Sequence, residues 1–541
     1  MTDSVPIPNT NSAAREKVVV TEDEAAPSAL QAPAAIGEGS GSVPTPSTTP
    51  SATKKKVRRI VRKKGSARGK NKKDDDSDVV NPILLEKVMN ESNLPKAYSF
   101  EVVKTLKRIN QILQGKKEQQ RKKGSGETVS STKDSPSVHV ALQMPEGLLL
   151  YATVLSDVLQ RLVAATNEGP AETATEDQQP LLRVSVLGDV TYGACCVDDL
   201  GAQALGCDLL VHYGHSCLVP IQHTVVPCLY VFVEITIDVK HLVECFHKTI
   251  LENPSLMDGS GRKPHVYLLG TIQFRHALME ARRLLRSEPY EYELSIPQAK
   301  PLSPGEVLGC TSPALANQRA SEESNPNAVV LFVADGRFHL ESTMISNPHI
   351  AKFYRYDPYP KTLTEESYDH VRMKSMRYEA IQKARLRIQS KKEEQPQGTA
   401  VFGIILGTLG RQGNPALLTK IQTQLRRKNL RSFVILASEI TPSKLALFRK
   451  KVDAWVQIAC PRLSVDWGHA LSGDASIPVL NPYELFVCLD QAHWRGGDDQ
   501  SYPMDYYSQE GGPWSNYHDV DNKGRELTLP EPVTAEVAAG V

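Results

Sequence analysis

Three stretches of the chain repeat one order of apolar and polar positions. Val140 to Leu159 (VALQMPEGLLLYATVLSDVL), Val266 to Leu285 (VYLLGTIQFRHALMEARRLL) and Ala400 to Leu425 (AVFGIILGTLGRQGNPALLTKIQTQL) each read as a continuous apolar run, a glycine-bearing turn and an amphipathic segment with apolar residues three and four apart. That grammar predicts a buried strand, a loop and a helix, three times over. Alternating strand and helix patterns favour small parallel sheets with helices on their faces, so the expected fold class is α/β: three similar domains in pseudo-threefold arrangement.

Later in each unit a second apolar run ends in a loop cysteine. The runs are VSVLGDVTYGAC to Cys195, PGEVLGC to Cys310 and AWVQIAC to Cys460, and they read as strands leading to equivalent positions of a triplicated fold. The first belongs to the richest stretch of the chain, Ser185 to Pro220. There Cys195 and Cys196 stand side by side before two aspartates, a helix is predicted over Leu200 to Leu205, and a strand over Asp208 to Tyr213 runs into His215, Ser216 and Cys217. In open α/β sheets the carboxyl ends of the strands face the ligand crevice, so both loops should open on one edge.

The rest of the chain divides around these units. Residues 1–80 are rich in Pro, Ser, Thr, Ala and charge, and are expected to be a disordered arm. The arm carries a basic run, Lys54 to Lys73, next to the acidic Asp74 to Asp78. Two packing helices are expected from Asn81 to Arg121, with a loop completing residues 81–135. The α/β units are assigned to 136–258, 259–395 and 396–490, the second ending in a long surface helix over Thr362 to Glu394. Residues 491–541 form a polar and aromatic tail over the body.

Composition narrows the chemistry. With 541 residues, 40% of them apolar, and a net charge of +1, the chain suits a multidomain globular protein without a nucleic-acid-like field, so nucleic acid is not expected as a partner. The N-terminal residues lack the pattern of a signal peptide, and no apolar run reaches the roughly 18 residues a membrane span needs, which points to the cytoplasm. Nine cysteines without a dense spacing argue against a disulfide framework. Cys207, Cys228, Cys245 and Cys488 read as core filler. Cys195, Cys310 and Cys460 differ, because each follows a strand beside a glycine or proline turn. Close pairs of the C-x2-C kind, typical of zinc sites, are absent. A cuboidal four-iron cluster takes one cysteine per iron, so three cysteines would leave one iron for a substrate; plain burial is the competing reading.

GDVTYGACCVDD, LVHYGHSCLVP, LGTIQF, LGCTSP, DGRFHLES, ILGTLGRQGNP, QIACPRLSVDWG and YPMDYY, in that order over about residues 81 to 520, resemble the first-subunit branch of the eukaryotic 2-(3-amino-3-carboxypropyl)histidine synthases, which open diphthamide biosynthesis. The resemblance implies a non-standard radical enzyme. One cysteine per domain, here Cys195, Cys310 and Cys460, would hold a [4Fe-4S] cluster, and S-adenosylmethionine would donate its 3-amino-3-carboxypropyl group to a histidine of translation elongation factor two. Cys195 is preferred over Cys196 because more distant members resemble this chain through Gly-Ala-Cys. The implied partners are a paralogous second subunit in a heterodimer, elongation factor two as substrate, and a small electron-donor metalloprotein with its reductase.

Beside that resemblance, the loop LGTLGRQGN offers Gly407, Gly410, Arg411 and Gly413 to the substrate's carboxylate, the guanidinium being suited to a two-bond grip. An ordinary strand-to-helix turn is the plainer reading. His215 and Ser216, then His339 and Glu341, are read as ending corresponding strands toward the crevice, where they would position ligand or the incoming histidine; Gln273 is a weaker candidate. Two other functions stay open: a thiol transferase built on Cys217 and His215, and an RNA- or ribosome-binding protein acting through the basic arm.

Overall fold

The computed structural model describes residues 81–123, 136–167, 181–189, 193, 195–216, 218–219, 223–257, 261–315, 328–350, 352–394, 399–448, 451–472, 477–506 and 511–516. The basic arm, Cys217 and the last residues of the tail lie outside them. Fifteen strands occur among the described residues: β1 (Tyr98–Ser99), β2 (Val138–Gln143), β3 (Leu182–Val186), β4 (Leu209–Tyr213), β5 (Cys228–Val231), β6 (Glu234–Ile235), β7 (Val266–Gly270), β8 (Leu294–Ser295), β9 (Val329–Val333), β10 (Lys352–Asp357), β11 (Thr362–Glu366), β12 (Val401–Gly407), β13 (Arg431–Ala437), β14 (Ala454–Ile458) and β15 (Val479–Leu480).

They form three larger sheets of one design. The orders are β3-β2-β4-β5, β8-β7-β9-β10 with β11 added at the edge, and β13-β12-β14-β15. In each sheet the first strand of the unit pairs parallel with the second on one side and the third on the other, and the fourth lies beyond the third. Within these three sheets only β11 runs antiparallel, hydrogen-bonded to β10.

The leading strands are the apolar runs read from the sequence. Every residue of β2 and β7 is buried, as expected of a parallel strand covered by helices on both faces. Each fully buried Val, Leu or Ile contributes about 1.5–3 kcal/mol relative to exposure. Helices Pro82–Glu91 and Val102–Lys123 form as expected. Val88, Leu106, Ile109 and Leu113 on their inner faces join Val140, Leu142 and Val211 in one core. The short β1 tethers this segment by pairing with β6.

Helix starts follow local capping chemistry. Asn414 caps helix Pro415–Arg427, its side chain accepting from Ala416 N and Leu417 N at 2.8 and 3.1 Å, with proline at the first turn.

Three expectations are corrected. The stretch Thr362 to Glu394 is not one surface helix: it begins as β11 and only His370–Glu394 is helical. That helix buries Met373, Ile381 and Ala384 against Phe402 and Ile404 of the third sheet, so its apolar positions serve a core. The cysteine loops are not topologically equivalent. Cys195 and Cys310 come after the second strand of their sheets, but Cys460 follows β14, the third. The residues before Cys310 are not a strand either; they meet β7 in a single bridge, Glu306 with Gly270.

Candidate functional site

Three sheets nevertheless deliver one thiol each to a common place. Cys195 and Cys310 are buried, Cys460 is half-buried, and all three are free. Each feels at least one other cysteine of the group. The Cys195 thiol is held well above its ordinary value by its hydrogen bond with Cys196, then by burial, with Cys460 and Cys310 adding to the effect. Cys310 is raised by burial and by Cys460, and Cys460 is raised to about 11, mainly by burial, with Cys196 contributing. Leu218, Leu302 and Leu308 close an apolar wall around Cys195 and Cys196. Among the described residues, no three His, Cys, Asp or Glu side chains close on a site for one metal ion. The three cysteine segments therefore come near one another without forming a mononuclear cage.

The glycine loop after β12 lies against the cysteine segments. A Cβ on Gly410 would meet the Cys196 backbone, and one on Gly407 would stand 2.7 Å from the Cβ of Ala459, the residue before Cys460. Gly413 lies under the Gly407 carbonyl, its would-be Cβ 2.3 Å from that oxygen. Arg411 N donates to Cys195 O at 2.9 Å. Its guanidinium donates twice to Asp199, Nε to Oδ1 and Nη2 to Oδ2, both at 2.7 Å. Asp199 is fully buried, and despite that burial the Arg411 and Val225 donors hold its carboxyl below the usual range. The two-bond grip expected of Arg411 exists, and its partner in this structure is a carboxylate of the chain.

From the other side Gln143 spans the first sheet's edge. Its Nε2 donates to Cys196 O at 2.7 Å, and its Oε1 accepts from Asp198 N and from the ring of His212 at 2.9 Å. Gln412 Nε2 donates to Cys196 Sγ at 3.3 Å.

His215 and Ser216 follow β4 after Gly214, at the strand's carboxyl end. His339 and Glu341 do not end a strand; they lie in helix Phe338–Ser346, beyond β9. Ser216 hydrogen-bonds the buried Glu306 carboxylate, joining the first unit to the Cys310 segment. Glu341 accepts from Arg337 and Arg462. His215, His339 and Gln273 line one cavity of about 270 Å³ with Thr271, Asp335, Tyr98 and Leu308. Leu308 also touches the cysteine cluster. Burial pushes the imidazoles down, His215 to about 4 and His339 to about 3, so both are neutral near pH 7. Thr271 Oγ1 and His215 Nδ1 find no hydrogen-bond partner among the described residues.

Sequence reasoning missed Asp199, Glu306, Gln143 and Arg462. Arg462 stood two residues after Cys460 in ACPRLS and Asp199 closed the CCVDD run, so proximity to the cysteines was the available signal.

The family model for diphthamide synthesis protein matches residues 144–499. The mouse protein named 2-(3-amino-3-carboxypropyl)histidine synthase subunit 1 is 44% identical over 440 residues, covering 81% of this chain and 82% of the relative. Its counterpart of that name in Caenorhabditis elegans is 40% identical over 470 residues, covering 84% and 98%. Among solved structures, Dph2 from Pyrococcus horikoshii, crystallised with a 4Fe-4S cluster, is 25% identical with a TM-score of 0.48, covering 68% of this chain and 89% of that one. On the extent of the family match and the identity to curated relatives, the chain belongs to the diphthamide synthesis family, among the proteins named 2-(3-amino-3-carboxypropyl)histidine synthase subunit 1.

Proposed function

We propose that the chain is the cluster-bearing subunit for the first step of diphthamide synthesis, transferring a 3-amino-3-carboxypropyl group from S-adenosylmethionine to a histidine of translation elongation factor two. The observation that carries this reading is the meeting of Cys195, Cys310 and Cys460 from three separate sheets. The residues fit a [4Fe-4S] cluster. Three free thiols lie near one another, the apolar wall closes around Cys195, and none closes with other ligands on a single ion. Their raised proton affinity keeps them neutral until a cation takes the proton's place. Such a cluster takes one thiolate per iron, so three thiolates would hold it and leave a position for the co-substrate.

Such a cluster, when reduced, would supply one electron to the sulfonium; Cγ–S cleavage would give methylthioadenosine and a 3-amino-3-carboxypropyl radical, and its addition to the acceptor imidazole would be completed by loss of the ring proton at the new bond and return of one electron to the oxidised cluster. The chain's own residues prepare that event. Leu218, Leu302 and Leu308 keep water from Cys195 and Cys196. The cavity beside Leu308 supplies neutral imidazoles at His215 and His339 and an amide at Gln273, groups that can orient a bound ring by hydrogen bonds without adding charge. In this reading the chain works in the cytoplasm with a paralogous second subunit and receives electrons from a small metalloprotein and its reductase. Among the described residues, no helix is long and apolar enough to cross a membrane.

The test is anaerobic purification with the paralogous subunit, then reduction with S-adenosylmethionine and elongation factor two. Mass spectrometry should find one aminocarboxypropyl group on the factor. Cys195→Ala, Cys310→Ala and Cys460→Ala should each lose the brown cluster absorbance and the transfer, whereas Cys196→Ala keeps both. An iron-loaded complex that adds no group would overturn the proposal, and a full cluster in Cys195→Ala would move the ligand to Cys196.

A further inference from the structure

We infer that two arginines of the third unit, Arg411 and Arg462, are positioning residues that gather the other two cysteine loops onto Cys460, with Asp199 and Glu341 as their anchors. The inference rests on the reading of the three thiols as one site.

Arg411 leaves the turn after β12 and reaches the first unit. Its two 2.7 Å bonds end on Asp199, four residues beyond Cys195 at the start of helix Asp199–Ala204, and Nη2 also donates to His223 O at 3.3 Å. The anchor is itself fixed, since Asp199 Oδ2 accepts from Val225 N at 2.6 Å. With the bond from Arg411 N to Cys195 O, the first cysteine's loop is held at two points from the third unit.

Arg462, two residues past Cys460, does the same to the second unit. Its Nη1 donates to Phe338 O at 2.8 Å and to Gly309 O at 3.3 Å, Nη2 donates to Glu341, and Nε donates to Asp466 at 2.8 Å. The guanidinium carbon lies 4.3 Å from the centre of the Phe338 ring. Gly309 is the residue before Cys310, and Phe338 fills the space where a Gly309 Cβ would be, 2.1 Å from its ring. The grip therefore falls on the peptide next to the cysteine.

Planar, forked donors set direction as well as distance, which a lysine ammonium does not. Buried ion pairs add little net stability over an apolar replacement, because desolvation offsets the attraction. What they add at these junctions is orientation. Loops alone would leave three sulfurs free to drift, and a polynuclear cluster needs them at fixed separations.

The test uses the full chain without iron. Dibromobimane joins thiols that lie close together, and peptide mass spectrometry identifies the pairs. Arg411→Lys should cut Cys195–Cys460 cross-linking by about tenfold and spare Cys310–Cys460, and Arg462→Lys should do the reverse, about the size expected when one charge-assisted hydrogen bond of the fork is lost. Melting temperatures are measured alongside. Asp199→Asn, which removes the anchor's charge and keeps its shape, should repeat the Arg411→Lys pattern and replaces it if the lysine variant does not fold. In the iron-loaded complex the same variants should release iron to a chelator faster. Unchanged cross-linking in all three variants, or equal loss at both junctions, would overturn the inference. Wild-type protein that cross-links as described but takes up no iron would instead overturn the cluster reading and leave the clamps standing.

Discussion

A methyl carbon on Gly410 would stand 2.3 Å from the carbonyl carbon of Cys196 and 2.5 Å from its oxygen. No real side chain tolerates that approach, and both contacts are to backbone, which cannot swing away. Gly410 also has φ +55°, in the left-handed region that costs a residue with a Cβ about 1–2 kcal/mol. Gly410→Ala therefore has to push the loop off the first unit's cysteines. The expected outcome is a folded but destabilised chain with sharply reduced iron after anaerobic reconstitution. Gly188→Ala is the matched control, because nothing lies within 4 Å of its Cβ position. Iron and sulfide content, with thermal melting of both variants, checks the pair.

Buried histidines make the fold sensitive to acid. His212 has no exposed surface; its Nδ1 donates to Gln143 Oε1 at 2.9 Å, and its Nε2 finds no partner among the described residues. Burial, then the neighbouring His215, pushes it down from 6.5 to about 3. A lowered folded value means that the folded chain prefers the neutral ring. The contribution is fully present above about pH 6.5 and is lost as the pH falls toward about 3, at up to about 1.4 kcal/mol per pH unit. His215 and His339 act in the same direction. Urea midpoints should fall steeply between about pH 6 and 5, and His212→Gln should lower that slope by close to one proton. A slope unchanged by the substitution would contradict this assignment.

The strands β2, β7 and β12 could be read from the sequence because parallel strands largely covered on both faces are mostly apolar runs, and the loop glycines after them punctuate the pattern. The inequivalence of the cysteine loops could not. β8 is two residues long and the Glu306 bridge is a single pairing, too little for any periodicity to register. Arg411 was visible as a cation in a glycine loop, but its partner Asp199 lies 212 residues away, so nothing local marked the pair. His339 and Glu341 were recognisable as residues near the crevice and were misplaced on a strand end, because DGRFHLES turns into a helix whose start carries no side-chain cap.

Arg377 and Glu484 bind the long helix His370–Glu394 to the last part of the described chain. The guanidinium donates from Nε and Nη2 to the two carboxylate oxygens, each at 2.6 Å, and the side chains are 3% and 0% exposed. Glu484 also accepts from Tyr502 Oη at 2.6 Å and from Asn481 N at 2.9 Å, the latter closing a capping box on helix Pro482–Cys488. Removing one partner leaves a buried, uncompensated charge, which costs about 3–5 kcal/mol. Arg377→Met and Glu484→Gln should each lower the urea midpoint strongly. The double variant Arg377→Met with Glu484→Gln removes both charges and fills the arginine's volume, so its loss should be smaller than the sum of the single losses. Additive losses would mean that the two side chains are not coupled, and that the tail is held by the packing of Tyr483, Tyr502 and Trp514 alone.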